Sequence, residues 1–433
     1  MKHNAFNFGL LAFLDASPTP FHATATLLAN FKQAGFTVLE ESAEWKLRVG
    51  GRYCVTRNGS SLLAFTLGKQ PLASSGIRMV GAHTDSPCLK LKPNPELHTH
   101  GYQQLGVEVY GGVLLNPWFD RDLALAGRVT CELKNGKLVN RLVDFRRALA
   151  TIPSLAIHLD REANDKRTIN KQTYLPPVIG RLTDDEFSLN REITAHVRSV
   201  EPKLAIAAVR AFELCFYDLQ GAAQIGWCGE FIASARLDNL LSCYTGMRAL
   251  IDSPHDTAQL LICNDHEEVG SGSTSGARGN FLESVLQRLT DHHETLARAM
   301  AQSMLVSTDN AHGIHPNFAD KHDAKHGPLL NLGPALKTNA NQSYATNSES
   351  AAVIQHAAAR ANVTLQAFVA RADMGCGSTI GPLAATRLGV RTVDVGVPTF
   401  AMHSIRELAG SADAYALYRV VREFFALESV AVA

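Results

Sequence analysis

The sequence has no excess of charge of either sign. Its 433 residues include 41 lysine and arginine side chains against 41 aspartate and glutamate side chains, so the formal net charge is zero at pH 7. A chain without a net electrostatic field has no general attraction for nucleic acid or for an anionic membrane surface. We therefore expect neither nucleic acid nor a membrane to be a partner.

Long hydrophobic runs and paired cysteines are missing as well. The apolar run Leu10–Leu14 is too short for a secretory signal and ends at Asp15, and no other stretch approaches the length of a transmembrane helix. The eight cysteines are scattered, with no CxxC pair, which is typical of buried thiols in a reducing compartment. These absences predict a cytoplasmic protein.

The composition is that of a folded protein with two domains. Hydrophobic residues make up 46% of the chain and charged residues 19%, which argues against extended disorder, and 433 residues exceed the usual size of a single core. From about residue 91 to 232 short strands dominate. Before and after this stretch apolar strands alternate with helical patterns, one of which spans residues 281–301. The pattern predicts an α/β domain formed by residues 1–91 and 234–433, interrupted by a mostly β insertion at residues 92–233.

Two Asn-Gly pairs mark tight turns. Asn58-Gly59 separates two strand-like segments in the first part of the chain, and Asn135-Gly136 separates two more inside the insertion. Asn-Gly is favoured in two-residue hairpin turns because both residues tolerate a positive φ. We therefore expect a β-hairpin at each pair.

Ionisable side chains accumulate where the predicted strands end. The segment NDHEEVG, residues 264–270, follows the apolar run 258–263, and His83 and Asp85 follow the apolar strand 77–82. Open α/β sheets place their chemistry at the carboxyl ends of strands, and buried charge is costly unless a partner or a metal compensates it. The same pattern, a carboxylate or imidazole after an apolar stretch, recurs at Asp238, Asp309 and His403.

Together these side chains offer imidazole nitrogens and carboxylate oxygens. This is the ligand set for two zinc ions that share one bridging aspartate, since zinc binds nitrogen and oxygen and hydrolytic sites keep a position open. Manganese and cobalt share such carboxylate-rich sites, so the metal stays open. Adjacent glutamates suit a division in which Glu268 binds metal and Glu267 acts as general base. Asp85 lies on the same face of an extended strand as His83 and is placed to fix its tautomer.

Each of these residues has a simpler interpretation when taken alone. A single histidine is more often structural than a ligand, tandem glutamates usually lie in a solvated turn, and Asp238 is placed to cap a helix. The glycine-rich segment 270–276 suggests a phosphate cradle and a nucleotide-dependent oxidoreductase, but it matches neither GxGxxG nor GK[ST]. Only the joint appearance of the residues at strand ends favours the metal site.

Five short motifs occur in order along the chain. They are GAHTDSP at residues 81–87, RLDN at 236–239, DHEEVGS at 265–271, DNAH at 309–312 and MHSIRE at 402–407. Together they resemble the motifs of the M18 metallopeptidases, the aspartyl aminopeptidase family. The resemblance runs from the first helix to the last and includes the insertion.

The resemblance implies a phosphorylase/hydrolase-like α/β fold that carries a co-catalytic centre of two Zn²⁺ ions. Asp238 would bridge the ions. The other implied ligands are His83 and Asp309 for one ion and Glu268 and His403 for the second.

The implied reaction is the hydrolytic removal of an N-terminal residue, Asp or Glu by preference, from a peptide with a free N-terminus. Metal hydroxide would attack the scissile carbonyl carbon. Glu267 would serve as the general base, and Asp85 would orient the histidine ligand.

Further residues around the substrate follow from the same resemblance. The family uses a histidine, a lysine and a tyrosine there, which fall on His312, Lys337 and Tyr344 in this chain. Family members also carry, in the insertion, a histidine that completes the active site of a neighbouring subunit, and His158 matches it. The resemblance thus implies that the insertion is a dimerisation domain and that the active form is a homo-oligomer, a tetrahedral dodecamer in relatives.

Two positions depart from the family pattern. Asn310 stands where a methionine is expected, and Thr338 stands where a basic or aromatic residue is common. Neither change removes a ligand, but a few side chains around the pocket decide the substrate, so a preference for neutral N-terminal residues stays an alternative. A non-catalytic peptide-binding oligomer is the other alternative. It predicts the loss of a ligand or of the base, and none is lost.

Overall fold

The chain forms two compact units in the computed structural model, which describes residues 2–181, 187–290 and 292–432. The first unit comprises Met1–Ser86, Ala222–Met402 and Glu407–Ala433. The second comprises Pro87–Gly221 and His403–Arg406. Both units combine helices with sheets, which confirms the predicted α/β class.

The helices of the described residues are α1 His3–Asp15, α2 Pro20–Gln33, α3 Leu72–Ser75, α4 Leu189–Val200, α5 Leu237–Asp252, α6 Phe281–Gln287, α7 His293–Ala301, α8 Ser348–Arg360, α9 Ile380–Leu388 and α10 Asp413–Phe425. In the part of the chain that the structure describes, no helix is both long and apolar enough to cross a bilayer.

The strands are β1 Thr37–Val38, β2 Arg52–Arg57, β3 Ser61–Thr66, β4 Ile77–His83, β5 Cys88–Thr99, β6 Tyr102–Tyr110, β7 Leu123–Leu133, β8 Leu138–Asp144, β9 Val178–Arg181, β10 Ile206–Asp218, β11 Ala223–Ile225, β12 Phe231–Ser234, β13 Ala258–Asn264, β14 Met304–Thr308, β15 Ala311–His312, β16 Ala335–Lys337, β17 Gln366–Phe368, β18 Arg391–Gly396, β19 Pro398–Phe400 and β20 Glu407–Gly410.

A nine-stranded sheet is central to the first unit, with the strand order β1-β2-β3-β13-β4-β14-β18-β16-β17. Strands β13, β4, β14 and β18 run parallel to one another. Every residue of β4, β13 and β14 is buried, as expected for parallel strands that helices cover on both faces. This double coverage explains why the sequence shows continuous apolar runs there.

The two faces of this sheet contribute to separate hydrophobic clusters. Val80 and Ala82 pack in one cluster with side chains of α1, α2, α5, α8 and α10. Ile77 and Met79 pack in the other with side chains of α6, α7 and α9. Because successive side chains of a strand point to opposite faces, β4 supplies both clusters and holds the two helical layers together.

A six-stranded antiparallel sheet, in the order β8-β7-β10-β5-β6-β9, forms the second unit. Helix α4 packs on its core through Leu189, Ile193 and Val197, whose spacing of four residues places them on one helix face. A smaller sheet, in the order β11-β12-β20-β19-β15, belongs to the first unit.

Both predicted Asn-Gly hairpins are confirmed. Strand β2 pairs antiparallel with β3 around Asn58 and Gly59, whose φ angles are 56° and 65°. Strand β7 pairs antiparallel with β8 around Asn135-Gly136, where Gly136 has φ 80°. The turn chemistry alone was sufficient at these two places.

The single helix predicted across residues 281–301 is wrong. Helix α6 ends at Gln287, where Arg288 and Leu289 donate to the carbonyl oxygens three residues before them and tighten the last turn. Helix α7 begins only at His293, after an extended His292 with φ −140°. Leu289 and Leu296 flank the break at a spacing of seven residues, which keeps them in phase on one helix face, so the periodicity did not reveal the break.

The two units begin and end at residues that differ from the predicted insertion at 92–233, because strand pairing sets their bounds. Strand β5 begins at Cys88 and pairs with β6 and β10 of the second unit. At the other end, β11 and β12 pair with each other and with β20 in the first unit. Long-range pairing of this kind is not visible in a sequence pattern. The role of the second unit in dimerisation stays a prediction.

Candidate metal centre

The carboxyl ends of three parallel strands meet at one edge of the nine-stranded sheet. His83 is the last residue of β4 and lies opposite Asn264 at the end of β13, while Gly81 lies opposite Ser307 of β14. The chain continues from β4 to β13 on one side and later returns to β14 on the other side. Such a topological switch point is where open α/β sheets bind ligands.

His83 is directed at two carboxylates. Its Nε2 lies 3.3 Å from Asp238 Oδ1 and 3.7 Å from Asp309 Oδ1, and its Nδ1 lies 3.0 Å from the backbone oxygen of Asp85. A proton on Nδ1 can be donated to that carbonyl, which leaves the Nε2 lone pair facing the carboxylates. Burial disfavours the imidazolium, but Asp238, Asp309 and Asp85 outweigh it and raise the pKa of His83 well above its usual value.

Asp238 is held through its backbone at the start of α5. Its backbone N donates to Glu407 Oε2 at 2.8 Å, and its backbone oxygen accepts from Ser86 Oγ at 2.6 Å. Both Asp238 and Glu407 are buried. These two contacts fix the direction of the Asp238 carboxylate, which points to His83 and is not used as a simple helix cap.

The two adjacent glutamates lie in a tight turn directly after β13. Residues Glu267–Val269 form one turn of 3₁₀-helix between His266 and Gly270, which both have left-handed backbone conformations with φ 63° and 91°. The Asp85 carboxylate accepts from the backbone N of Glu267 and from that of Glu268, at 3.1 Å each. Asp85 therefore holds the glutamate turn against the loop that follows His83.

The environment of the glutamates disfavours their charged forms. Burial, and then the negative charges of Asp309, Asp238 and Asp85, raise the pKa of Glu267 to about 7, although the charge of His83 acts in the opposite direction. Burial and the charge of Asp238 also raise the pKa of Glu268 well above its usual value. Perturbed carboxyl groups of this kind cluster at functional sites.

His83, Asp238 and Glu268 form a group that fits a metal ion. One potential ligand atom of each lies within 4.8 Å of the others. The set combines an imidazole nitrogen with two carboxylate oxygens, which is donor chemistry that zinc accepts. A divalent cation at this place would also compensate the excess of buried carboxylates. The residues present therefore fit the metal that the sequence predicts.

Lys337 is almost fully buried beside this group. Its Nζ donates to the backbone oxygen of Asn310 at 3.1 Å, and it lies 3.6 Å from Asp309 Oδ2 and 4.9 Å from the centre of the Tyr344 ring. Only 1% of Lys337 and 4% of Tyr344 is exposed. The structure thus brings together Asp309, Lys337 and Tyr344 of the predicted site. Neither amide atom of the Asn310 side chain has a hydrogen-bond partner among the described residues.

The three other predicted site residues have different surroundings. His312 is at the edge of the five-stranded sheet, on β15, with its ring 5.9 Å from that of Phe368. Burial and the charge of Lys337 lower the pKa of His312, whereas the charges of Asp238 and Asp309 act in the opposite direction, so His312 lies near the carboxylates of the predicted centre. His158 lies exposed in the irregular segment after Ile152 in the second unit. His403 also belongs to the second unit, where its Nδ1 lies 3.1 Å from the backbone oxygen of Gly112.

Two residues that position the centre were missed by sequence reasoning. Glu407, which accepts from the backbone of Asp238, stands in the MHSIRE motif, so its place in the motif was the available signal. His266 lies in DHEEVGS, and its Nδ1 is 2.8 Å from Ser273 Oγ, which ties the start of the turn to the segment that follows it. A motif match alone gave neither residue a role, because the Glu407 contact joins segments that are distant in sequence and the His266 contact forms only in the folded turn.

Comparison with known protein families and sequences gives a consistent match over almost the whole chain. The family model described as "Aminopeptidase I zinc metalloprotease (M18)" matches residues 13–425. A "Probable M18 family aminopeptidase 2" of Pseudomonas syringae pv. syringae (strain B728a) is 57% identical over 420 residues, which cover 97% of this chain and 98% of that relative. The protein with the same name in Stutzerimonas stutzeri (strain A1501) is 56% identical over 419 residues and covers 97% of each chain.

Solved structures are similar over nearly the same span. The chain matches the "Cryo-EM structure of the Ape4 and Nbr1 complex" with a TM-score of 0.93 and 38% identity, covering 98% of this chain and 86% of that one. It matches "Crystal structure of prApe1" with a TM-score of 0.91 and 30% identity, covering 99% and 95%. For the "Structure of S. cerevesiae mApe1 dodecamer" the TM-score is 0.83 and the identity 29%, with 98% of both chains covered.

Proposed function

The chain belongs to the M18 family of zinc metallo-aminopeptidases, and on this premise we propose that it removes acidic N-terminal residues from peptides at a centre of two zinc ions. The observation that carries the proposal is the group of His83, Asp238 and Glu268 at the carboxyl edge of the sheet, with ligand atoms within 4.8 Å of one another. Such a buried donor set, next to a carboxyl group with a raised pKa, is the arrangement that metal-assisted hydrolysis requires.

Two ions are proposed because the five predicted ligand side chains are more than a single zinc ion with an open position needs. His83 and Asp309 would hold one ion, Glu268 and His403 would hold the other, and Asp238 would serve both. The support for a shared Asp238 is its position close to both His83, a ligand assigned to one ion, and Glu268, a ligand assigned to the other. Bound zinc would lower the pKa of a water molecule and polarise the scissile carbonyl. Manganese and cobalt suit the same donors.

Glu267 is the proposed general base. A base is most effective when its pKa lies near the working pH, and the pKa of Glu267 is raised to about 7. Its carboxyl group would take the proton of the attacking water and deliver it to the leaving amine. Asp85 fixes the backbone of Glu267 and Glu268 and accepts from the His83 ring, so it orients base and ligands together.

The proposed preference for acidic residues rests on Lys337. A buried ammonium group beside the metal ligands is a site for the carboxylate of an N-terminal Asp or Glu, with Tyr344 and His312 as further substrate contacts. One observation favours the alternative, a preference for neutral residues. The Lys337 ammonium already donates to Asn310 and faces Asp309, so part of its charge is compensated without a substrate.

A homo-oligomer is the proposed active form. The segment that carries His158 also exposes Leu155, with 59% of its surface accessible, and Leu159, with 74%. Exposed apolar side chains of this kind mark interaction surfaces. A neighbouring structure is described as a dodecamer, and we propose that the second unit is a dimerisation domain through which His158 completes the site of an adjacent subunit. A cytoplasmic location is proposed from the scattered free cysteines.

The test compares hydrolysis of peptides that begin with Asp, Glu, Leu and Lys, after chelation and reloading with defined zinc. The proposal expects the wild type to prefer Asp and Glu, and it expects Lys337→Ala to lose about tenfold or more on these two peptides only. Zinc content of the variant, measured in the same samples, is the control for damage to Asp309. A wild type that prefers Leu, or an equal loss on all four peptides, would contradict the acidic preference.

A further inference from the structure

Asp394 is a buried carboxylate in the interior of the nine-stranded sheet, outside the set of predicted site residues. It lies on β18 and has no exposed surface. Its Oδ1 accepts from Thr379 Oγ1 at 2.6 Å, its Oδ2 accepts from the backbone N of Ala345 at 2.7 Å, and its own backbone N donates to Thr346 Oγ1 at 3.0 Å. Both carboxylate oxygens are therefore hydrogen-bonded.

These contacts join two segments that are far apart in sequence. Ala345 and Thr346 directly follow Tyr344, and Thr379 is the N-cap of α9, where its hydroxyl also accepts from the backbone N of Gly381. A Cβ atom at Gly381 would lie 2.6 Å from Asp394 Oδ1 and 2.8 Å from Oδ2. The glycine thus leaves the space that the carboxylate occupies at the start of the helix.

A third segment is coupled through charge. Strand β16 pairs antiparallel with β18, and Lys337 lies directly opposite Asp394 in that pairing. Residues directly opposite each other in an antiparallel pair have side chains on the same face, about 5 Å apart at Cβ. The charge of Lys337 therefore interacts with two carboxylates, that of Asp394 on the paired strand and that of Asp309, whose Oδ2 is 3.6 Å from the ammonium.

We propose that Asp394 is the positioning residue of the substrate pocket, whose carboxylate holds Tyr344 in place through Ala345 and sets the position of Lys337 between the sheet and Asp309. The inference rests on the proposed function in one respect, the role of Lys337 toward acidic substrates. Burying a carboxylate is unfavourable unless partners compensate its charge. The carboxylate of Asp394 contacts the segment of Tyr344 and lies opposite Lys337. A neutral side chain of similar shape would not provide the charge that interacts with Lys337.

The removal of the charge has a defined consequence. Asp394→Asn keeps the shape of the side chain but takes away the negative partner on the sheet side of Lys337. The ammonium then has one carboxylate neighbour, Asp309, and moves toward it. Acidic N-terminal residues lose their counter-charge, whereas neutral residues, which do not use it, keep most of their affinity.

The experiment measures kcat and KM of zinc-loaded protein for peptides that begin with Asp and with Leu. For Asp394→Asn we expect a rise in KM of about tenfold for the Asp peptide, a change of less than about twofold for the Leu peptide, and unchanged zinc content. Asp413→Asn is the matched control, because Asp413 is also buried and accepts from two backbone N–H groups, those of Asn331 and Gly333. It is expected to leave the ratio of the two KM values unchanged.

A double-mutant cycle with Lys337→Ala separates positioning from general damage. If Asp394 acts through Lys337, its replacement has little further effect on the Asp peptide once Lys337 is gone. Additive losses, or equal rises in KM for both peptides, would overturn the inference. If Asp394→Asn does not fold, Thr379→Val is used instead, because it removes one hydrogen-bond donor to the Asp394 carboxylate. It should raise KM for the Asp peptide selectively, but by a smaller factor.

The inference and the proposed function fail separately. A wild type that prefers the Leu peptide contradicts the proposed preference. In that case, coupling between Asp394 and Lys337 in the cycle still supports the positioning role, and its absence overturns that role.

Discussion

Strand β4 carries a buried ionisable side chain near each of its ends. Arg78, near the amino end, has no exposed surface, and its guanidinium donates to the backbone oxygens of Ser75, Leu427 and Glu428. His83, at the carboxyl end, is surrounded by the carboxylates of Asp85, Asp238 and Asp309. The same strand thus buries one cation among neutral carbonyl groups and another among charged acids.

The difference separates a buried charge whose partners are neutral carbonyl groups from a site with an excess of buried carboxylates. Burial lowers the pKa of Arg78 to about 10, so the guanidinium stays charged at neutral pH and serves to hold the C-terminal segment. At the other end burial and like charges raise the pKa of Glu267 to about 7 and leave the carboxyl groups unstable as anions until a metal binds. A buried charged group whose hydrogen bonds are all made within the chain indicates a role in stability. A cluster of buried carboxylates with too few positive partners indicates a binding site for a cation.

The largest expected effect is on catalysis at the carboxyl end. Glu267→Gln keeps the shape of the side chain but removes its ability to take a proton. We expect turnover to fall about 10²–10⁴-fold, with zinc content and unfolding free energy close to those of the wild type. Steady-state kinetics and metal analysis on the same sample check this. Full activity in the variant would remove Glu267 from the role of base.

The amino end of β4 should respond in stability and not in catalysis. Arg78→Met leaves the three carbonyl oxygens without their buried donor, and we expect a loss of about 3–5 kcal/mol in unfolding free energy. Denaturant unfolding measures it, with kcat per active site unchanged. Arg360→Met is the control, because this half-exposed arginine makes a surface ion pair with Glu423 and should cost less than about 1 kcal/mol. Equal effects of the two variants would remove the distinction.

Metal-free protein should gain stability as the pH falls. The pKa of Glu267 is about 7 in the folded chain against an ordinary 4.5, so the folded state binds the proton more tightly. Stability from this group is gained as the pH falls through 7 towards 4.5, by about 3 kcal/mol. The raised pKa of His83 acts in the same direction, since its stabilising charge is lost as the pH rises through the folded pKa.

Thermal unfolding of chelated protein between pH 8 and 5 checks this pH dependence. Zinc-loaded protein should show the opposite trend, because protons compete with the metal for the same ligands. Chelated Glu267→Gln is the control and should give a flatter profile than chelated wild type. A chelated wild type that loses stability on acidification would contradict the assignment of strained carboxyl groups.

The smallest expected effect concerns Asn310. Its buried amide atoms have no hydrogen-bond partner among the described residues, and an unsatisfied buried polar group costs about 1–3 kcal/mol. Asn310→Met should therefore raise the unfolding free energy by about 1–2 kcal/mol in denaturant unfolding. Asn331→Met is the contrasting variant, because the Asn331 amide donates to Glu230 and accepts from Ala412, and it should destabilise. A destabilised Asn310→Met would show that the amide has a partner in solution.

Much of the site followed from the sequence because its residues are placed by simple rules. Residues that end neighbouring parallel strands meet at one edge, so His83, Asp309 and the glutamate turn were predicted to lie close together. Asn-Gly pairs fixed two hairpins by local backbone preference alone. These are short-range properties, and tertiary context did not override them.

The remaining features depend on register and packing between distant segments. Glu407 reaches the backbone of Asp238, and Asp394 lies opposite Lys337, only because β20 and β18 pair as they do. Lys337, taken alone in the sequence, suggested a surface residue. It is buried because β16 pairs with β18 inside the sheet. The break between α6 and α7 depends on local hydrogen bonds that the hydrophobic repeat does not reflect.

The most direct test of the central claim is a titration of metal-free protein with zinc, in which bound zinc and peptide hydrolysis are followed together. We expect two bound ions per chain and activity that appears as the second ion binds. In Asp238→Ala we expect both zinc binding and activity to be lost. Full activity with a single ion per chain, or hydrolysis by thoroughly chelated protein, would contradict the account.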